Sequence, residues 1–578
     1  MRNVFNDIIK STRTKQLPTT NNIKNAAKSL KNRLQKTKMR LHQKHTIWLL
    51  IGAIFITAFF LRAYDIDSIP AGIYPDESVN GTDALLANST GEYKLFYTSN
   101  YGREGLFINL QALTIKIFGN TVFGLKLWSI LFGTLTVLGV FLLTKELFQS
   151  ARAGLIGAYF TAFSYWAINF SRIGFRAIMV PAILVFTFYF LFRGLRTKKY
   201  SDFIFSGLIF GFGVHTYIAF RVSPLVMVAV LIALILSHEN FLKNFWRHIL
   251  VFAFAMMVTA TPMLLDFFYF HPEHYASRTG GISVLNPDVN KGNLISVLAK
   301  TFGLSLAKYN FWGDQNWRHN YPPYPILNPL VGIAFLFGLC YSIFKFLRLL
   351  WLRIFHGIRE EKLVVYTLLL SWFFVLLIPE FLAYEGNPHA LRAIGTIPVV
   401  FIIATIPLLW VLGKLANYSH AFKVSTVSLL FAGFLFIGIA DPMKYFVFFA
   451  NNPEQYGAFD ASFTNMAKYL MTLPDGTKKY VIANAGGKEM EDSLPVTAHP
   501  IKYLTTGKVQ NLSFLVKDGG AGFEKSKPAK ISTPAVFVLM KYDQAAIDWV
   551  RKSYPQAQVE KINYQPEHNS DFTVIYAE

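Results

Sequence analysis

Runs of about 20 apolar residues, the length that carries a helix across the hydrocarbon core of a bilayer, recur along this chain from near residue 46 to residue 440. Eleven spans are read from them, at roughly 46–63, 121–144, 153–170, 177–193, 203–220, 222–237, 249–270, 327–349, 363–384, 391–413 and 423–440. Charged residues make up only 16% of the chain, against about 25% in soluble proteins. This pattern excludes a cytosolic enzyme, a disordered protein and a disulfide scaffold. The lone cysteine, Cys340, lies in an apolar run and leaves neither an intramolecular disulfide nor a cysteine-cluster metal site open.

The net charge of +22 is concentrated at one end. Residues 1–45 hold 12 Lys/Arg and one acid, Asp7. A basic segment just ahead of a membrane helix reads as a cytoplasmic anchor against anionic lipid. No base-stacking aromatics are interleaved with these cations, so no nucleic-acid partner is expected. With this segment inside, lysines and arginines fall in the inner loops, at Lys145 and Arg152, Arg193 to Lys199, Lys243 and Arg247, Lys345 to Lys362, and Lys414 to Lys423. That is the positive-inside pattern. It predicts a multi-pass plasma-membrane protein with a cytoplasmic N-terminus. An odd number of spans then leaves residues 441–578 outside, where short β-rich runs (Tyr480–Ala483, Ala535–Met540, Phe572–Tyr576) alternate with helical patterns (Phe459–Leu473, Gln544–Ser553), as in a small α/β domain.

Two outer segments are long, 65–120 and 271–326. The first carries a helix starting at Pro75-Asp76-Glu77 and a second helical stretch from Arg103 to Phe118. In the second, Leu106, Leu110, Leu113 and Ile117 recur at spacings of three and four, a stripe suited to the membrane interface. The short outer loops hold Arg172, Arg176, Arg221 and Arg392 and no lysine. One such arginine is accounted for by snorkelling to headgroups. Four from three loops point to an anionic ligand, because a planar guanidinium grips phosphate with two parallel hydrogen bonds. The Asp76-Glu77 pair fits both N-terminal capping of a helix and chemistry. An ionised carboxylate beside a phosphate-binding arginine cluster accepts a proton from an attacking hydroxyl, while the arginines stabilise the departing phosphate.

These residues resemble the polytopic GT-C glycosyltransferases, in particular the family 39 group of protein O-mannosyltransferases and aminoarabinose transferases. The match rests on Asp76-Glu77 in the first outer loop, Gly102-Arg103-Glu104-Gly105 after it, arginines at outer span ends and a soluble outer tail, and it covers residues 46–440. The resemblance implies a helical membrane fold of GT-C type, with residues 46–440 catalytic and 441–578 an extracytoplasmic α/β domain. It implies a polyprenyl-phosphate-linked sugar as donor, with Asp76 as catalytic base and Glu77 as its partner in positioning or acceptor contact. Arg172, Arg176, Arg221 and Arg392 are then the candidate phosphate ligands. Arg103, Glu104, Tyr217, Asp314, Arg318 and His389 are candidate substrate contacts. Gly313 to Asn320 in the second long loop resembles a substrate-loop element of bacterial relatives, and a capped surface turn fits it as well.

The expected activity is inverting transfer of a sugar to a hydroxyl on an acceptor protein, glycolipid or polysaccharide at the outer face. Asp314 and His319 are metal-ligand types, but two lone candidates make a weak signal; some GT-C enzymes need a divalent metal and others do not, and no metal or other cofactor is expected. His215, inside the fifth span, reads as a satisfied buried histidine. The competing class is a transporter or flippase of a lipid-linked glycan. Such proteins place ionisable groups at the midplane and often carry internal repeats, and neither is evident here.

Overall fold

The computed structural model describes residues 29, 45–276, 283–516, 534–568 and 570–577. The basic N-terminal segment, apart from Ser29 and His45, lies outside these, as do residues 277–282 of the second long loop. Two compact units are distinguished, Met1–Ala53 and Ile54–Glu578. The packing described below is all within the second.

Nine helices among the described residues are long and apolar enough to cross a membrane: His45–Ala63, Val122–Phe148, Arg176–Thr197, Ile218–Ser237, Phe241–Phe270, Pro329–His356, Lys362–Phe381, Ile394–Lys414 and His420–Phe449. The other two expected spans, 153–170 and 203–220, are interrupted helices. Ala151–Phe163 stops at Ser164 and restarts as Tyr165–Ser171, and Tyr200–Phe212 tightens into a 3-10 turn at Gly213–His215. The first break is stabilised at both of its new ends. The Arg62 guanidinium donates to the carbonyls of Thr161 and Ala162 (both 3.2 Å), closing the orphan acceptors of a helix C-terminus. The carboxylate of Asp441 accepts the backbone N–H of Tyr165 (3.1 Å), a donor orphaned where the helix resumes.

Arg172 performs the matching task on the first membrane helix. Its two terminal nitrogens donate to the carbonyls of Leu61, Arg62, Asp65 and Ile69 at 2.8–3.2 Å. Above this end of the bundle lies helix Pro75–Thr90, begun by Pro75, whose fixed φ and missing N–H suit a first helical position. The two-stranded ribbon of β1 (Phe96–Tyr97) and β2 (Arg103–Glu104) follows, and then helix Leu106–Phe118. The last buries Phe107, Ile108, Gln111, Ala112 and Ile115, while Leu113 and Ile117 of the expected interface stripe are exposed.

The tail holds a five-stranded sheet in the order β4-β3-β5-β7-β6, with β3 Lys478–Ala483, β4 Leu512–Val516, β5 Ala535–Leu539, β6 Gln558–Ile562 and β7 Phe572–Ala577. β3 pairs in parallel with β4 and β5, and β7 runs antiparallel to β5 and β6. Alternation along the strands builds two cores. Val481, Val536, Val538 and Val574 pack with helices Ala461–Thr472 and His499–Thr505. Ile482, Phe537, Leu539 and Ile575 pack on Ile547 and Val550 of helix Gln544–Ser553. The first core continues into the membrane part through Ile108, Ala112 and Leu125. Helix His499–Thr505 lies on helix Pro75–Thr90, where His499 Nδ1 meets Thr82 Oγ1 at 2.8 Å and the Tyr503 ring lies so close to Gly81 that a Cβ there would stand 2.6 Å from it.

Asp441 also accepts the side-chain amide of Asn328 (3.0 Å), so one buried carboxylate ties together three helices. Asp441→Ala orphans two buried donors, each costing about 1–3 kcal/mol. Thermal unfolding in detergent is expected to show a loss of about 2–4 kcal/mol, with Asp441→Asn intermediate.

Candidate active site

Helix Pro75–Thr90 places Asp76 in its first turn, where the helix dipole favours a negative charge. Asp76, Asn80 and Asp83 recur at spacings of four and three and so share one helical face. That face meets the β1–β2 ribbon. Asn100 donates to Asp76 Oδ1 (2.8 Å). Arg103 donates to Asn80 Oδ1 (2.6 Å) and Ser99 Oγ (2.5 Å) and forms an ion pair with Asp83. A partly open cavity results, lined by Asp76, Asn80, Asn100, Arg103, Phe175, Arg176, Ala177, Tyr217 and Leu391. Among the described residues no protein donor reaches Asp76 Oδ2.

Glu77 turns away from this cavity and is fully buried. Its Oε1 accepts Tyr74 N–H (3.0 Å), its Oε2 accepts Gly174 N–H (2.5 Å), and Lys126 Nζ lies 3.8 Å from Oε2. Burial pushes the Glu77 carboxyl up, opposed by Lys126 and the two N–H groups. The contact depends on glycine at 174, because a Cβ there would sit 3.0 Å from Glu77 Oε2. Glu77 therefore fixes loop 171–176, and with it Arg176, against the helix that carries Asp76.

Arg176 enters the cavity with its Nε donating to Glu104 Oε2 (2.7 Å) and its guanidinium 5.4 Å from the Tyr217 ring centre. Its terminal nitrogens have no hydrogen bond to protein among the described residues. The other oxygen of Glu104 lies 3.4 Å from Arg221 Nη2. Arg221 also donates to Tyr275 O (2.6 Å) and stacks on Phe267 and Tyr275. Burial acts to raise the Glu104 carboxyl, but Arg176 and Arg221 outweigh it and hold the group below its ordinary range.

The four arginines thus divide. Arg176 lines the cavity and Arg221 stands behind it on Glu104. Arg172 is buried on backbone carbonyls, and Arg392 donates to Glu385 O (2.5 Å); neither lines the cavity. Of the candidate substrate contacts, Arg103 and Tyr217 line it and Glu104 orients Arg176. Arg318 stacks 4.0 Å from the Tyr74 ring centre, beside the start of the Asp76 helix. Asp314 accepts His319 Nδ1–H (3.0 Å) and Ala390 N–H (2.7 Å), and the His389 ring packs against that of His319 at a tilt of 37°. His215 is buried and bonded to Thr259 O (2.8 Å). Sequence reasoning missed Asn80, Asp83 and Asn100; the spacing of the first two from Asp76 was the available signal.

Residues 106–264 match the family model described as dolichyl-phosphate-mannose-protein mannosyltransferase. ArnT from Cupriavidus metallidurans in its apo state superposes with a TM-score of 0.51 at 11% identity, over 92% of this chain and 98% of that one. This is a multi-pass membrane protein with the GT-C glycosyltransferase fold. Further similarities are to ArnT from the same organism bound to undecaprenyl phosphate (TM-score 0.47, 12% identity, 91% and 97% covered) and to the Archaeoglobus fulgidus oligosaccharyltransferase tethered to an acceptor peptide (TM-score 0.46, 13% identity, 90% and 69% covered). No curated protein matches the sequence.

Glu104→Gln leaves two buried guanidinium groups without their shared anion, an expected loss of about 3 kcal/mol at neutral pH. The folded carboxyl titrates below its ordinary 4.5, so its stabilisation is complete above that value and is lost as pH falls through the folded value. Melting curves of wild type and Glu104→Gln should therefore differ at pH 7 and converge in acid.

Proposed function

We propose that this protein transfers a sugar from a polyprenyl-phosphate-linked donor to an acceptor hydroxyl at the extracytoplasmic membrane surface, with Asp76 as the general base. One observation carries the reading: the Asp76 carboxylate and the Arg176 guanidinium, a hundred residues apart in the chain, line a single cavity at the ends of the membrane helices. The family match over residues 106–264 and the GT-C fold support the same class of reaction.

In the proposed step the acceptor O–H gives its proton to Asp76 as its oxygen bonds to carbon one of the sugar. The bond from carbon one to the phosphate oxygen breaks, and the polyprenyl phosphate leaves with both electrons. Attack opposite the leaving group inverts the anomeric centre. Charge builds on the departing phosphate, where Arg176, aimed by Glu104 and packed on Tyr217, supplies unoccupied donors on the wall of the partly open cavity. Arg103 holds Asn80 and Asp83 in place and adds a second positive group to the wall. Glu77 positions the Arg176 loop and does not exchange protons with substrate. Arg172 acts on the fold, and the donor phosphate belongs to the Arg176 side of the cavity.

The test is turnover of purified protein with polyprenyl-phosphate sugars and a panel of hydroxyl acceptors. Asp76→Asn keeps the size and the Asn100 contact but cannot take the proton, so kcat should fall by about 10²–10⁴ with KM for the donor little changed. Arg176→Lys should lower kcat by about 10²–10³. Wild-type turnover in Asp76→Asn would remove the base assignment. Movement of donor across vesicles with no transfer product would replace the enzyme by a transporter.

A further inference from the structure

Asp314, His319 and His389 stand apart from the cavity and line none of it. We infer that these three side chains form a binding site for a divalent ion of the zinc class, fastening the second long loop to the segment between the spans Lys362–Phe381 and Ile394–Lys414. One ligand atom from each lies within 4.8 Å of the others. The Asp314 and His319 side chains are almost fully buried, and His389 Nδ1 is buried with no hydrogen-bond partner among the described residues. An unpaired ring nitrogen in such a place costs free energy unless something binds it.

The geometry needs little adjustment. Zn–N and Zn–O distances of about 2.0–2.1 Å put two ligands of a tetrahedral ion about 3.4 Å apart. Asp314 Oδ2 and His319 Nδ1 are already at 3.0 Å, so the ion replaces the proton now shared between them. The two imidazole rings have centres 4.5 Å apart, within reach of a common ion after a modest ring rotation. The carboxylate is held by Asn316 N–H (2.8 Å) and Ala390 N–H (2.7 Å). On the other side His389 N–H is fixed by Glu380 Oε1 (2.9 Å), whose partner oxygen takes Lys308 Nζ (2.6 Å). Two imidazoles and one carboxylate make a ligand set for zinc or a neighbouring first-row ion with one position open. Arg318 and Arg392 nearby favour an anion, such as hydroxide, in that position. The sequence led to the opposite expectation because His389 lies 70 residues beyond His319.

A second group, His271, Glu273 and His274, is largely exposed, and His274 is already bonded to Asp266 (2.9 Å); it serves as the control. Full-length protein purified without a histidine tag, stripped with chelator, is titrated with cobalt(II) and followed by its visible d–d absorption, and with zinc by melting temperature. One cobalt per chain should give the spectrum of a low-coordinate site, unchanged in His271→Ala and abolished in His389→Ala. Zinc should raise the melting temperature of wild type by several degrees and leave His389→Ala unmoved. Among the described residues no hydrogen bond holds the His389 side chain, so metal-free His389→Ala should lose only the packing of its ring against His319 and melt cooperatively, a little below metal-free wild type, which separates lost binding from lost folding. Absence of a cobalt spectrum in wild type, or one lost in His271→Ala and kept in His389→Ala, overturns the site.

Discussion

A charge placed in a low-dielectric interior must be paired or hydrogen-bonded on every face, and the architecture at the loop-bearing end of this bundle follows from that demand. Glu104 is the centre of it. One carboxylate receives Arg176 from the loop after a broken helix and Arg221 from the start of another, while its own backbone sits in a two-stranded ribbon. Asp83 holds Arg103 from the adjacent position of the same ribbon. Remove Glu104 and the guanidinium groups repel; keep it and their positions relative to Asp76 are set to within a hydrogen bond.

The same demand sorts the arginines into two kinds. Arg62 and Arg172 satisfy carbonyl oxygens left open where helices end, an alternative to the glycine and water that usually do so. Their residue type says nothing of which role they take. Arg172 and Arg176 are four positions apart in one loop, yet the first is sunk among backbone carbonyls and the second opens on a cavity.

Much of this was legible in the sequence. Span positions, the tail's α/β character and helix Gln544–Ser553 follow from periodicity, because apolar runs and alternating strands are local signals. The two broken spans were not legible as breaks, since Ser164 is an ordinary residue within an apolar run and the device that stabilises the break, Asp441, lies 277 residues later. Edge strands β4 and β6 escaped notice because one is only partly covered and the other, Gln558–Ile562, is mostly exposed and polar. The cavity was half legible. Asp76 and Arg176 stood out as an acid at a helix start and a cation at a span end, whereas Asn100 carries no pattern at all. Glu77, read as a partner of Asp76 in positioning or acceptor contact, and Arg172, read as a candidate phosphate ligand, are both held by buried hydrogen bonds outside the cavity lining, a placement that only tertiary neighbours contain.

The contact between Gly81 and the Tyr503 ring has a consequence for how such proteins diversify. The helix presenting Asp76 is backed by the tail rather than by lipid, and it meets the tail at a position where only hydrogen fits. A tail exchanged wholesale from a distant relative would have to bring its own complement to that flat spot, or shift the carboxylate by displacing the helix. Recombination at the end of the last membrane helix is therefore constrained by a single methyl group's worth of space, and the tail and the helix bearing Asp76 are expected to be inherited together.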